Sequence, residues 1–280
     1  MATVKDFKGD VSTWCPGCGD FSVMAALQRA AVNMGLEPHQ MSVISGIGCS
    51  SKISEYTRTY GFHGIHGRSL PVAQGAKMAN PELTVIASGG DGDGYGIGVG
   101  HFIHAVRRNI DITYLVMDNQ IYGLTKGQTS PRSQHDFVTK TTAKGNKEYP
   151  VDPISTALSN GGTFIAQGYS GDVKNLTEII EKAISHKGFS LVNVFSPCVT
   201  FNKINTYNFF KDNLVHIDQA FSSRTEAINY VKEHNGLVTG IVYEEEQQDF
   251  QSQLGIDWNM HVSSGDMDAD MIHEIEKTFM

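Results

Sequence analysis

The chain has 280 residues, 40% of them hydrophobic, with 29 glycines, so it can bury a full core and remain rich in turns. Its 22 basic against 30 acidic side chains give a formal charge of −8, which argues against nucleic acid as a partner. The opening Met1-Ala2-Thr3-Val4-Lys5-Asp6 has no apolar signal region and no stretch approaches a membrane span, so a cytoplasmic enzyme is expected.

Asp20 reads as the N-cap of a helix over residues 21–34, with Phe21, Met24, Leu27, Ala31 and Met34 on one face and Gly35 ending it. A strand follows near residues 41–45. Residues 83–88 are apolar throughout, as in a strand buried on both faces. After the glycine-rich residues 89–100 comes a helix whose Val99, Phe102, Ile103 and Val106 form the buried stripe. Residues 112–117 are again an apolar strand, ending at Asp118-Asn119. A helix at 153–160, a strand at 164–167, a helix at 173–186 and a strand at 190–195 complete the alternation. Strands alternating with helices of this length predict an α/β fold: a parallel sheet covered by helices on both faces. Residues 1–204 are read as that domain. Residues 205–280 are read as a C-terminal extension that packs on the sheet or on a partner, with one more strand near 236–243; a solvated tail ending in a short helix at 270–279 is the alternative.

Four cysteines are present: Cys15 and Cys18 in a tight Cys-Pro-Gly-Cys turn, and Cys49 and Cys198 each after an apolar run. In a chain without a secretory signal, thiols placed at turns and strand ends suit an iron–sulfur cluster or zinc better than disulfides. Cys49, Gly90-Asp91-Gly92-Asp93, Asp118-Asn119 and Cys198 all fall just past predicted strand ends. In open parallel sheets that edge binds ligands.

Gly90, Gly92, Gly94, Gly96, Gly98 and Gly100 alternate strictly. No register supplies the dinucleotide fingerprint, and no Gly-Lys-Ser/Thr ending supplies a Walker loop. What remains is a strand-to-helix turn suited to an anion, with two carboxylates planted in it. Carboxylates beside a phosphate repel it unless a divalent cation lies between, so phosphate plus Mg²⁺ is the consistent filling. Asn119, just past the next strand, is the candidate partner ligand to Asp91.

Gly90-Asp91-Gly92 followed by Asn119 resembles the thiamine-diphosphate motif. Trp14-Cys15-Pro16-Gly17-Cys18-Gly19, Gly46-Ile47-Gly48-Cys49-Ser50, His66-Gly67-Arg68 and the stretch from Asp118-Asn119-Gln120-Ile121 to Gly127-Gln128 resemble the β subunit of 2-oxoacid:ferredoxin oxidoreductases. The resemblance runs from about residue 10 to 200 and weakens beyond. It implies a thiamine-diphosphate-binding fold of the pyrophosphate type, with Cys15, Cys18, Cys49 and Cys198 holding one [4Fe–4S] cluster. It implies Mg²⁺ on the side chains of Asp91 and Asn119 and the backbone carbonyl of Ile121. Gly46, Ile47, Gly48, Ser50, His66, Gly67, Arg68, Gly90, Gly92, Asp93, Gly123 and Leu124 would line the cofactor, and Lys126 would sit by the mouth of the site. The implied reaction is coenzyme A-dependent oxidative decarboxylation of a 2-oxoacid, 2-oxoglutarate favoured over pyruvate, with electrons passed to ferredoxin. The carboxylate that activates thiamine would come from an α subunit, so the isolated chain is expected to be inactive. The competing expectations are a non-oxidative thiamine enzyme with structural zinc, and an electron-transfer subunit with a vestigial thiamine site. Lys126, Arg132, Lys140, Lys144 and Lys147 against Asp136 suggest a basic loop for ferredoxin or coenzyme A phosphates.

Overall fold

The computed structural model describes residues 1–255 and Lys277. Along the chain it builds α1 (Asp20–Asn33), β1 (Met41–Ser45), α2 (Ile53–Tyr56), β2 (Tyr60–His63), α3 (Ser69–Ala79) and β3 (Thr84–Gly90). A π-helical turn over Gly92–Ile97 leads into α4 (Val99–Arg108), then β4 (Thr113–Asp118), α5 (Pro153–Ser159), β5 (Phe164–Tyr169), α6 (Val173–Ser185) and β6 (Ser190–Phe195). After these come α7 (Tyr207–Asn213), β7 (Val215–His216), α8 (Arg224–Glu233), β8 (Val238–Glu244) and α9 (Phe250–Leu254). Of the helix expected over residues 270–279, all but Lys277 lies outside the described residues. Among the described residues no helix is long and apolar enough to cross a membrane.

One eight-stranded sheet runs in the order β2-β1-β3-β4-β6-β5-β8-β7. The strands β1 to β6 are mutually parallel, and β8 joins antiparallel to β5. Successive residues of β3 point to opposite faces. Val85 and Ala87 meet α3, α4, α5 and α8 in one core, and Ile86 meets α1, α2 and α6 in the other. Because both faces are covered, the central strands are mainly apolar and do not alternate, which is the pattern that made β3 and β4 legible.

Two local expectations are corrected. The buried face of α1 centres on Val23, Ala26, Leu27, Ala30 and Ala31, while Phe21 and Met24 are only half-buried. Small alanines let α1 lie close against α6, and close approach outweighs side-chain size. Asp20 is not the N-cap. Gly19 holds that position, and Asp20 is the first helical residue, with its carboxylate directed away from the helix's own N–H groups.

Candidate active site

Parallel strands put their C-terminal ends on one edge. The chain leaves β1 for β2 on one side and returns at β3 on the other, so a crevice opens past the ends of β1 and β3. A cavity of about 110 Å³ lies there, lined by Ile47, Gly48, Ser50, His66, Gly90, Asp91, Gly92, Asp93, Asn119, Ile121, Gly123 and Leu124, together with Cys49, Tyr122 and Thr125. Of the residues expected to line the cofactor, Gly46 and Gly67 lie behind this wall, against Asp93. Arg68 does not reach the cavity wall; its guanidinium bonds His101 on α4.

The two aspartates of the turn do different work. Asp93 faces backward. Its Oδ1 accepts hydrogen bonds from Ile47 N (2.8 Å) and Gly67 N (2.7 Å) and lies 2.7 Å from His66 Nδ1, so one carboxylate pins the loops after β1 and β2. Asp91 faces Asn119, whose N–H it accepts at 3.3 Å, while Ser130 Oγ donates to its other oxygen at 2.5 Å. Asn119 Oδ1 accepts from Ile121 N (3.1 Å), fixing the turn that carries Ile121 into the cavity wall. Gly92 is required where it stands, because a Cβ there would overlap the ring of Tyr122, whose hydroxyl donates to Gly92 O at 3.1 Å.

Behind Asp91 lies a buried polar network. Asp118, wholly buried at the end of β4, accepts from Arg132 Nε (2.8 Å) and Asn193 Nδ2 (3.2 Å) on the same oxygen. Tyr95 donates to Asn193 Oδ1 at 2.9 Å. Arg132 is therefore an internal counter-ion and no part of a basic docking loop. Lys147 pairs with Asp136 on the surface, which leaves Lys126, Lys140 and Lys144 as the exposed cations of the segment without a carboxylate partner among the described residues. Burial, and next the charge of Asp118, push the Asp91 carboxyl up to about 8. A divalent cation beside it would relieve both of these penalties. The donor set of Asp91, Asn119 and the Ile121 turn fits Mg²⁺ and a diphosphate.

All four cysteines line a second cavity of about 230 Å³, shared with Trp14, Lys52, Lys126, Val199 and Phe201. Gly17, at φ +83°, turns Cys18 back so that its N–H bonds Cys15 O at 3.0 Å. Trp14 Nε1 donates to Cys49 O at 2.6 Å and ties that turn to the loop after β1. A Cβ on Gly123 would lie 3.6 Å from both Cys49 Sγ and Cys198 Sγ. Burial, then the charge of Asp20, raises the thiols of both Cys18 and Cys49, the latter to about 11, and the neighbouring cysteines raise them further. Four crowded thiols around one space suit a cationic group. Among the described residues, no three Cys, His, Asp or Glu side chains close on a single-ion position. The cradle offers the four-thiol donor set that an iron–sulfur cluster or a zinc ion takes.

Cys49, Asn119, Gly123 and Leu124 line both cavities, so the two spaces share a wall. Lys126 lies on the cysteine side, exposed on a tight hairpin held by Tyr122 N to Gln128 O (2.9 Å). Ser130, Tyr122, Asp118 and Asp20 were not among the expected site residues. Ser130 stands 39 residues from Asp91, and nothing local in the sequence marks the pairing.

Residues 39–194 match the family described as thiamine pyrophosphate enzyme, C-terminal TPP binding domain, which defines the chain as part of a thiamine-diphosphate enzyme. Residues 198–256 match the family that describes the C-terminal part of the pyruvate ferredoxin oxidoreductase beta subunit. The 2-oxoacid:ferredoxin oxidoreductase subunit beta of Saccharolobus solfataricus is 48% identical over 214 residues, covering 76% of this chain and 70% of that protein. The 2-oxoglutarate oxidoreductase subunit KorB of Mycobacterium tuberculosis is 44% identical over 199 residues, 71% of this chain and 53% of that one. A solved 2-oxoglutarate:ferredoxin oxidoreductase from Magnetococcus marinus, with 2-oxoglutarate, coenzyme A and succinyl-CoA bound, superposes with a TM-score of 0.90 at 39% identity, covering 98% of this chain and 96% of that one. The chain belongs to the β subunits of the 2-oxoacid:ferredoxin oxidoreductases. It is one subunit of a multi-subunit oxidoreductase.

Proposed function

We propose that this subunit, with its α partner, carries out coenzyme A-dependent oxidative decarboxylation of 2-oxoglutarate and delivers the electrons to ferredoxin. The observation that carries this is the shared wall: the cavity of Asp91 and Asn119 and the cavity of the four cysteines are separated only by Cys49, Asn119, Gly123 and Leu124. An electron acceptor in the second lies against a substrate site in the first. The favoured substrate is supported by the 2-oxoglutarate, coenzyme A and succinyl-CoA bound in the Magnetococcus marinus enzyme.

When bound, thiamine diphosphate supplies an electron sink for decarboxylation and a [4Fe–4S] cluster supplies a one-electron acceptor. Asp91 and Asn119 would hold Mg²⁺ through their side chains and Ile121 through its carbonyl. Asp93 keeps His66 oriented by engaging its Nδ1, which leaves Nε2 as the atom free to meet the cofactor. The four cysteines would hold the cluster. Lys126, exposed at the mouth of the cysteine cavity, is placed to meet a substrate carboxylate or an acidic electron acceptor.

The test is anaerobic viologen reduction by the reconstituted αβ complex, with coenzyme A and either 2-oxoglutarate or pyruvate. Faster reduction with 2-oxoglutarate supports the proposal. Preference for pyruvate overturns the substrate and keeps the mechanism, while absence of iron and acid-labile sulfide from the complex overturns the oxidative reading.

A further inference from the structure

Asp20 is 0% exposed and wholly removed from water, yet it serves neither of the usual purposes of an aspartate at a helix start. It makes no capping bond to its own helix, and it pairs with no lysine or arginine among the described residues. Its two oxygens are spent on two distant loops instead. Ser196 Oγ donates to Oδ1 at 2.5 Å, across 176 residues of chain, and Ser50 Oγ donates to Oδ2 at 3.0 Å, across 30. The partners have a common feature. Ser50 directly follows Cys49, Ser196 comes two residues before Cys198, and Asp20 itself comes two residues after Cys18.

The backbone is fitted to the same junction. Gly19 N donates to Pro197 O at 3.2 Å, and a Cβ on Gly19 would sit 2.5 Å from Ser196 Oγ and 2.9 Å from Pro197 N. The turn after Cys18 is therefore pressed directly onto the loop before Cys198, at a place only glycine allows. Burying a carboxylate is costly, and two serine hydroxyls offset only part of that cost. A fold that wanted only packing at this spot would place an apolar residue there.

We propose that Asp20 is the positioning residue of the cysteine cradle: its carboxylate sets the relative placement of Cys18, Cys49 and Cys198 by bonding the segments that carry the last two from the segment that carries the first. Asp20 is not a ligand. It acts by holding three strands of chain in register, so that the sulfurs converge before any cluster arrives. Cys15, one turn further out and exposed, is the ligand this carboxylate does not fix. The inference rests on the cluster reading given above.

The experiment uses the αβ complex, anaerobically reconstituted with iron and sulfide, as wild type and as Asp20→Ala, Asp20→Asn and Ser196→Ala. Three readouts are taken: iron and sulfide per chain, the rate of cluster loss to a ferrous chelator, and the low-temperature EPR spectrum of the reduced cluster. Asp20→Ala is expected to lose its cluster at least about tenfold faster than wild type, with a broadened spectrum reporting several cluster geometries. Asp20→Asn, which keeps one acceptor oxygen, is expected to fall between the two. Ser196→Ala severs only the link to the Cys198 loop and keeps the carboxylate, so it remains informative if Asp20→Ala does not fold; it too is expected to lose cluster faster with an altered spectrum. Wild-type chelation rates and line shape in both Asp20→Asn and Ser196→Ala would overturn the assignment of Asp20. A wild-type complex that takes up no iron or sulfide would instead overturn the cluster reading, and this inference with it.

Discussion

Gly46→Ala tests the idea that Asp93 is the clamp of the cofactor cavity. An added methyl at residue 46 would overlap both carboxylate oxygens and Cγ of Asp93. Asp93 has little room to yield: it is buried, and its Oδ1 is held by Ile47 N, His66 Nδ1 and Gly67 N at 2.7 to 2.8 Å. Hydrogen bonds to a charged group are worth about 1.5–3 kcal/mol each, so a shift that forfeits one of them costs roughly 1.5–3 kcal/mol. Asp93→Ala loses all three and leaves two backbone N–H groups unpaired, for about 5 kcal/mol or more. The two penalties share one cause, so they should not add. In Gly46→Ala/Asp93→Ala the methyl enters space the carboxylate has vacated, and the double variant should be no less stable than Asp93→Ala by more than about 1 kcal/mol. Urea unfolding of the four members of the cycle measures the coupling, and thiamine diphosphate titration should show weaker binding in both single variants. Additivity within about 0.5 kcal/mol would refute the clamp.

Three further outcomes are expected. Asp91→Asn removes a carboxyl whose folded value is raised above 3.8 to about 8. A raised value means the fold favours the protonated form, so the penalty is absent below about pH 4 and grows as pH rises toward 8. Metal-free Asp91→Asn should accordingly melt above wild type at pH 8, with the gap closing toward pH 4, and Mg²⁺ with thiamine diphosphate should raise the melting temperature of wild type alone. Arg132→Met leaves Asp118 buried without its counter-ion and should cost about 3–5 kcal/mol; thermal melts should recover part of that in Arg132→Met/Asp118→Asn. Purified without its α subunit, the chain should bind thiamine diphosphate yet reduce no viologen, and turnover by the chain alone would contradict the two-subunit site.

The chemistry and much of the framework were legible in the residues alone. Gly90-Asp91-Gly92 with Asn119, and four cysteines outside every apolar run, are local signals, and the structure places them at neighbouring cavities on one sheet edge. β1 and β6 fall on the expected residues, and β3 and β4 within two residues of them, because strands buried on both faces are mainly apolar and do not alternate with charged residues. The exposed edge strand β2, with Tyr60 and Phe62 facing solvent, gave no such signal. The pairings between residues far apart in sequence emerge only from the packed fold. Asp20 reads as a helix cap because capping is the local option for an aspartate there, and it is drawn off by Ser50 and Ser196, which local spacing does not reveal. Arg132 reads as one more surface cation until Asp118 meets it inside. Periodicity reports which way a side chain faces, but the partner of a buried charge is set by strand order and loop packing, and those are fixed only when the whole sheet has assembled.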